Sequence, residues 1–153
     1  MNYFHVHLKV ADLPKSIAFY NALFNREATV VKSDFAKWQL DNPQVNFAIS
    51  AVEDRKPGLA HLGLQAENGT VLKQLYQQMK QAEGDIKEEG DTVCCYAKSE
   101  KSWIEDPEGI SWEVFHTYGE ATFYGSGENA KKAPESMDNW QDHQKANSCC
   151  GPQ

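Results

Sequence analysis

Three side chains of this 153-residue chain, His5, His61 and Glu113, could together hold a divalent metal ion. Two imidazoles and one carboxylate leave coordination positions open. Such a set suits redox-active ferrous iron, while manganese, nickel or zinc would accept the same donors. Glu113 stands between the apolar Trp112 and Val114 in the aromatic-rich strand ISWEVFHT, and a carboxylate facing a protein interior needs a cation or a proton. Two pairs of thiols add a second chemistry. Cys94 and Cys95 are adjacent, and two close thiolates suit a thiophilic centre such as trivalent arsenic, cadmium or mercury. Cys149 and Cys150 repeat the pairing near the C-terminus and could deliver or scavenge a metalloid. Adjacent residues of a regular strand point to opposite faces, so Cys94 and Cys95 can grip one atom only where the backbone turns. The bland alternative is one buried small hydrophobe beside one incidental surface thiol.

The elements that must position these groups follow from the hydrophobic pattern. NYFHVHLKV (2–10) alternates as a strand that puts Tyr3, His5 and His7 on one face. His7 is therefore a candidate for a place next to the metal or facing the substrate. Asp12 can cap a helix that carries Pro14 in its first turn and a stripe of Ile17, Phe19, Tyr20, Leu23 and Phe24. Three short strands, at 27–33, 35–41 and 45–50, are separated by turn-forming residues. After the polar connector Glu53–Gly58 the order begins again, with a strand LAHLGLQA (59–66) and an amphipathic helix over 70–82. A shift of 56 residues lays His5 on His61, Leu8 on Leu64, Tyr20 on Tyr76 and Leu23 on Met79. The duplicate of His7 is Gly63. A short strand near Ile86, the cysteine segment, a strand at 102–106 and the closing strand 110–117 complete the second unit; His116 has opposite parity to Glu113 and should face away.

The expected organisation is one domain over 1–118, made of modules at about 1–52 and 59–118, followed by a polar, cysteine-bearing tail at 119–153. A formal charge of −7 and a pI near 5.2 provide no basic footprint for nucleic acid. No long apolar run or secretory leader is seen, so the expectation is a cytoplasmic protein without a membrane partner. A reducing compartment would keep the four cysteines as thiols.

HVHLKVADLPKSIAFYNALF, LAHLGLQA and DPEGISWEVF resemble the first-half opening, second-half opening and closing strand of the vicinal oxygen chelate superfamily, which includes glyoxalases, bleomycin-resistance proteins and extradiol dioxygenases. CCY (94–96), SDFAKW (33–38), NFAI (46–49) and the terminal SCC are similar to its cadmium- and arsenic-induced branch, which contains a carbon-arsenic lyase of organoarsenical resistance. The resemblance implies an α+β fold of paired βαβββ modules whose curved, barrel-like sheet surrounds a metal cavity. It implies Fe(II) on His5, His61 and Glu113, and a trivalent organoarsenical held by Cys94 and Cys95. The implied reaction is oxygen-dependent cleavage of the carbon-arsenic bond. Phe35 stands where the family motif has a phenol, and with Trp38 it is a candidate for the pocket. Two other readings stay open: a protein that sequesters cadmium or arsenite, and a glyoxalase-type enzyme, for which VNFAIS offers no carboxylate matching Glu113. The paired modules could form their cavity within one chain or in a homodimer.

Overall fold

The computed structural model of the chain describes residues 2–51, 56–82, 84–94, 97–120, 123–124 and 131–132. β1 (Tyr3–Val10), α1 (Leu13–Phe24), β2 (Val30–Val31), β3 (Phe35–Asp41) and β4 (Gln44–Ala51) come first. The same order returns as β5 (Gly58–Gln65), α2 (Gly69–Gln81), β6 (Ile86–Cys94), β7 (Ala97–Glu105) and β8 (Ser111–Glu120). β9 (Phe123–Tyr124) and β10 (Lys131–Lys132) pair antiparallel with each other. Among the described residues, no helix is long and apolar enough to cross a membrane.

Both helices start on a side-chain cap. The Asp12 carboxylate accepts the Lys15 backbone N–H at 3.0 Å, and the Asn68 side chain accepts that of Val71 at 3.0 Å. α1 lays Leu13, Ile17, Tyr20 and Phe24 on Val10, Ala36, Trp38, Phe47 and Ile49. α2 lays Leu72, Leu75 and Met79 on Ala66 and Val114. The stripe of α1 is narrower than the sequence suggests. Phe19 and Leu23 are 60% and 62% exposed, because each sits one residue, about 100°, round the helix from Tyr20 and Phe24.

The eight long-range strands form one mixed sheet in the order β2-β3-β4-β1-β5-β8-β7-β6. β1–β4 and β5–β8 run parallel, and the other neighbours antiparallel. The barrel-like closure expected from the family is therefore corrected: the sheet is open, with β2 and β6 as its edges. Closing a barrel needs its terminal strands to share a staggered ladder. β2 provides only Val30 and Val31, and both are paired inward with Lys37 and Ala36 of β3. The cysteine segment also departs from expectation, since β6 and β7 are nine residues each instead of short strands.

The two halves meet where β1 and β5 pair antiparallel. Val6 and Leu62 are Cα partners and are also equivalent under the 56-residue shift, so the pseudo-twofold axis passes between them. His5 then lies opposite Gly63, and His7 opposite His61. Val6, Leu8, Leu64 and Val114 face the helices, so strand alternation sends His5, His7, His61 and Glu113 to the opposite face.

Gly63 is what lets β8 come close. Its Cα partner is Glu113, and a Cβ on Gly63 would collide with the Glu113 carbonyl oxygen, which is backbone and cannot swing away. Gly63→Ala is expected to lower stability by about 1–3 kcal/mol through overpacking. Gly69→Ala, where a Cβ meets open space, should stay within about 0.5 kcal/mol of the parent. Urea midpoints of the two variants measure the difference.

Candidate metal centre

His5 Nε2 and His61 Nε2 are 3.1 Å apart. Glu113 Oε2 is 3.3 Å from His61 Nε2 and 3.7 Å from His5 Nε2. Donors held about 2.1 Å from one ion at angles of 90–109° stand about 3.0–3.4 Å from each other, so these three atoms are close to the spacing that a shared ion imposes. Strand geometry explains the convergence. His61 is the diagonal neighbour of His5 across the β1–β5 pair, and Glu113 is next to Gly63 on β8.

The tautomer of His5 is set by its other nitrogen. Nδ1 lies 3.0 Å from the Asn46 carbonyl oxygen, which can only accept, so Nδ1 carries the proton and the neutral ring presents its Nε2 lone pair to the cluster. Burial pushes His5 down to about 3; the Glu113 charge opposes this, and His61 and His7 add to it. His61 is placed mainly by packing. The Trp103 ring meets it edge to face at 4.9 Å, and His61 Nδ1 is buried with no hydrogen-bond partner among the described residues.

His7 joins the cluster. One ligand atom from each of His5, His7 and His61 lies within 4.8 Å of the others, a histidine-based site capable of binding a divalent metal. His7 Nε2 is 2.9 Å from Ser50 Oγ, and its ring is 4.8 Å from that of His61. Imidazoles beside one carboxylate fit a divalent ion by donor chemistry as well as by spacing.

Sequence reasoning missed Lys101. It is buried on β7, and its Nζ donates to Glu113 Oε1 at 2.6 Å. Burial alone would raise Glu113, but Lys101 first, then His61 and His5, hold it well below the ordinary carboxylate range. Parity along the strand puts Lys101 on one face with Trp103, but only the β7–β8 register, in which Trp103 is the Cα partner of Glu113, turns that face to the cluster.

The remaining candidates separate. Phe35 is buried, with its ring edge to face with His7 at 6.0 Å. Trp38, three residues on, has the opposite parity and lies under α1, where its indole N–H donates to Asn21 Oδ1 at 2.9 Å. It belongs to the core of the first module, on the sheet face opposite His5 and His7. His116 is outside the cluster, with Nδ1 3.1 Å from the Ala66 carbonyl oxygen. The expected clamp of Cys94 and Cys95 on arsenic is corrected: the cluster that can hold a metal is made of histidines. Cys94 ends the edge strand β6, Cα-paired with Ala97, and β7 and β8 separate β6 from the histidine strands. Cys95, Cys149 and Cys150 lie outside the described residues.

The sequence profile of the Glyoxalase/Bleomycin resistance protein/Dioxygenase superfamily matches residues 2–114. The chain is 39% identical over 121 residues to a probable trivalent organoarsenical cleaving enzyme of Bacillus subtilis (strain 168), covering 76% of this chain and 81% of that one. It is 37% identical over 157 aligned positions to the trivalent organoarsenical cleaving enzyme of Bacillus sp. (strain MD1), covering 99% and 92%. The cadmium-induced protein CadI of Mycobacterium bovis is 28% identical over 120 residues, covering 78% and 79%.

Two outcomes follow for the metal-free protein. Lys101→Met leaves a buried carboxylate without its cation and is expected to cost about 3–5 kcal/mol, much of it recovered in thermal melts on adding a divalent metal. Stability should also fall with acid. An unfolded chain protonates His5 below its ordinary value of 6.5, while the folded chain resists until about 3, so the contribution is full above 6.5 and lost as pH falls towards 3. Glu113, depressed from 4.5, adds to the loss at the acid end. Denaturant midpoints measured across this window should decline, and His5→Gln should flatten the upper part of the decline.

Proposed function

The chain belongs to the glyoxalase/bleomycin resistance protein/dioxygenase superfamily, and from this we propose that it cleaves the carbon-arsenic bond of trivalent organoarsenicals such as methylarsenite, with ferrous iron on His5, His61 and Glu113 and dioxygen as co-reactant. The observation that carries the reading is the convergence of His5 Nε2, His61 Nε2 and Glu113 Oε2 within 3.1–3.7 Å. Relatives at 37–39% identity whose names state cleavage of trivalent organoarsenicals support the substrate class.

Ferrous iron, when bound, supplies one-electron chemistry towards dioxygen. The protein supplies the rest. Asn46 holds His5 in the tautomer that can ligate. Before a metal enters, Glu113 is kept ionised by Lys101; once bound, the ion itself takes over that role. The open side follows from the register. Gly63 duplicates His7, Gly63 is the Cα partner of Glu113 and His7 that of Ala48, so the first-module counterpart of Glu113 is Ala48. A methyl group there cannot ligate, so the first module brings no carboxylate to match Glu113 and that side of the ion is left to reactants. Phe35, Trp103 and Phe115 are buried against the imidazoles and keep bulk water from the reacting groups.

Protein reconstituted anaerobically with Fe(II) and then exposed to air with methylarsenite should release arsenite with matching oxygen uptake. Glu113→Ala is expected to lose metal and to slow release at least about 100-fold. Arsenite release that survives complete metal removal would refute the assignment. Tight retention of the arsenical without turnover would point to sequestration.

A further inference from the structure

Building on the metal-dependent reading above, we propose that Lys101 makes this centre an anion site, so that its open side takes a singly charged negative ligand in preference to a neutral one. The two oxygens of Glu113 are divided. Oε1 is bonded by the Lys101 ammonium at 2.6 Å, and Oε2 is the oxygen that faces His5 and His61. One-oxygen ligation is thereby built in, and the second oxygen is not available to wrap the ion.

Charge counting gives the consequence. An imidazole that ligates a metal does so as a neutral ring and contributes no charge, and the single negative charge of Glu113 is already balanced by Lys101. A divalent ion that enters keeps both of its positive charges uncompensated by these side chains. The position that would supply a second carboxylate by symmetry holds Ala48, which is buried. Around the cluster are Trp103, Phe115 and Phe35, so water screens the excess poorly and an uncompensated buried charge is costly. An anion on the open side relieves it: hydroxide, or the ionised oxygen of an arsenic(III) acid. Lys101 acts twice here, repelling the metal and attracting its co-ligand. A role limited to orienting Glu113 would do neither.

The test uses the full chain loaded with Co(II), titrated with sodium azide at constant ionic strength. The visible spectrum reports both cobalt occupancy and azide binding, independently of turnover. Wild-type protein is expected to bind azide. Lys101→Met and Lys101→Gln should each bind it at least about tenfold more weakly, as expected for removing one charge a few ångströms away, while holding cobalt at least as tightly as wild type. Unchanged azide affinity in both variants, or no azide binding by the cobalt-loaded wild type, overturns the proposal and leaves the metal reading intact. Loss of cobalt from the Lys101 variants to the extent seen in Glu113→Gln also overturns it, since Lys101 would then only orient the carboxylate. If Glu113→Gln and His61→Ala bind cobalt as wild type does, the metal reading itself fails, and this proposal with it.

Discussion

A carboxylate that is only 5% exposed, between Trp112 and Val114, is the constraint around which this protein is arranged. Glu113 could not stay ionised there without nearby positive charge or hydrogen-bond donors. Lys101 is delivered by β7, His5 by β1 and His61 by β5, so three strands must keep their register with β8 for the charge to remain compensated. Gly63 makes this possible from the other side, by letting the backbone that carries Glu113 approach β5 without obstruction. Backbone packing and site electrostatics therefore depend on the same few residues.

The duplicated chain is most informative where its halves differ. His5 and His61 obey the pseudo-twofold axis and meet across it. His7 and Gly63 break it, and so do Ala48 and Glu113. A fully symmetric site would have carried a carboxylate from both modules or from neither. The asymmetric one has a carboxylate on one side and a methyl group on the other. That difference leaves the second module alone to supply the carboxylate.

The helices and the site use opposite faces of one sheet. α1 and α2 bury separate cores beneath the first and second modules, which frees the other face to hold polar groups at high burial. The open sheet is compatible with this, since the centre needs only the four inner strands β4, β1, β5 and β8 together with β7 beside them. The edges β2 and β6 contribute no histidine or Glu113 donor, and closure of the sheet is not required to form the site.

The strand-helix-strand order of both halves, their 56-residue relation and the shared face of His5 and His7 were legible in the sequence, because alternation and helical periodicity are local properties. The pairing of His5 with His61 was legible too, since duplication implies symmetry. Other features were decided only by tertiary structure. Lys101 carries no local mark of burial, and its role comes from the β7–β8 register that sets it beside Glu113. Trp38 looked like a neighbour of Phe35, yet three residues along a strand reverse the face. Phe19 and Leu23 looked like core and are exposed, because which side of a helix meets the sheet depends on the whole packing. Sheet closure depended on whether its two end strands could meet, a long-range relation that no local pattern encodes. The residue types that gather in the buried cluster could be read from the chain, but which charge holds the carboxylate depended on pairings between distant strands.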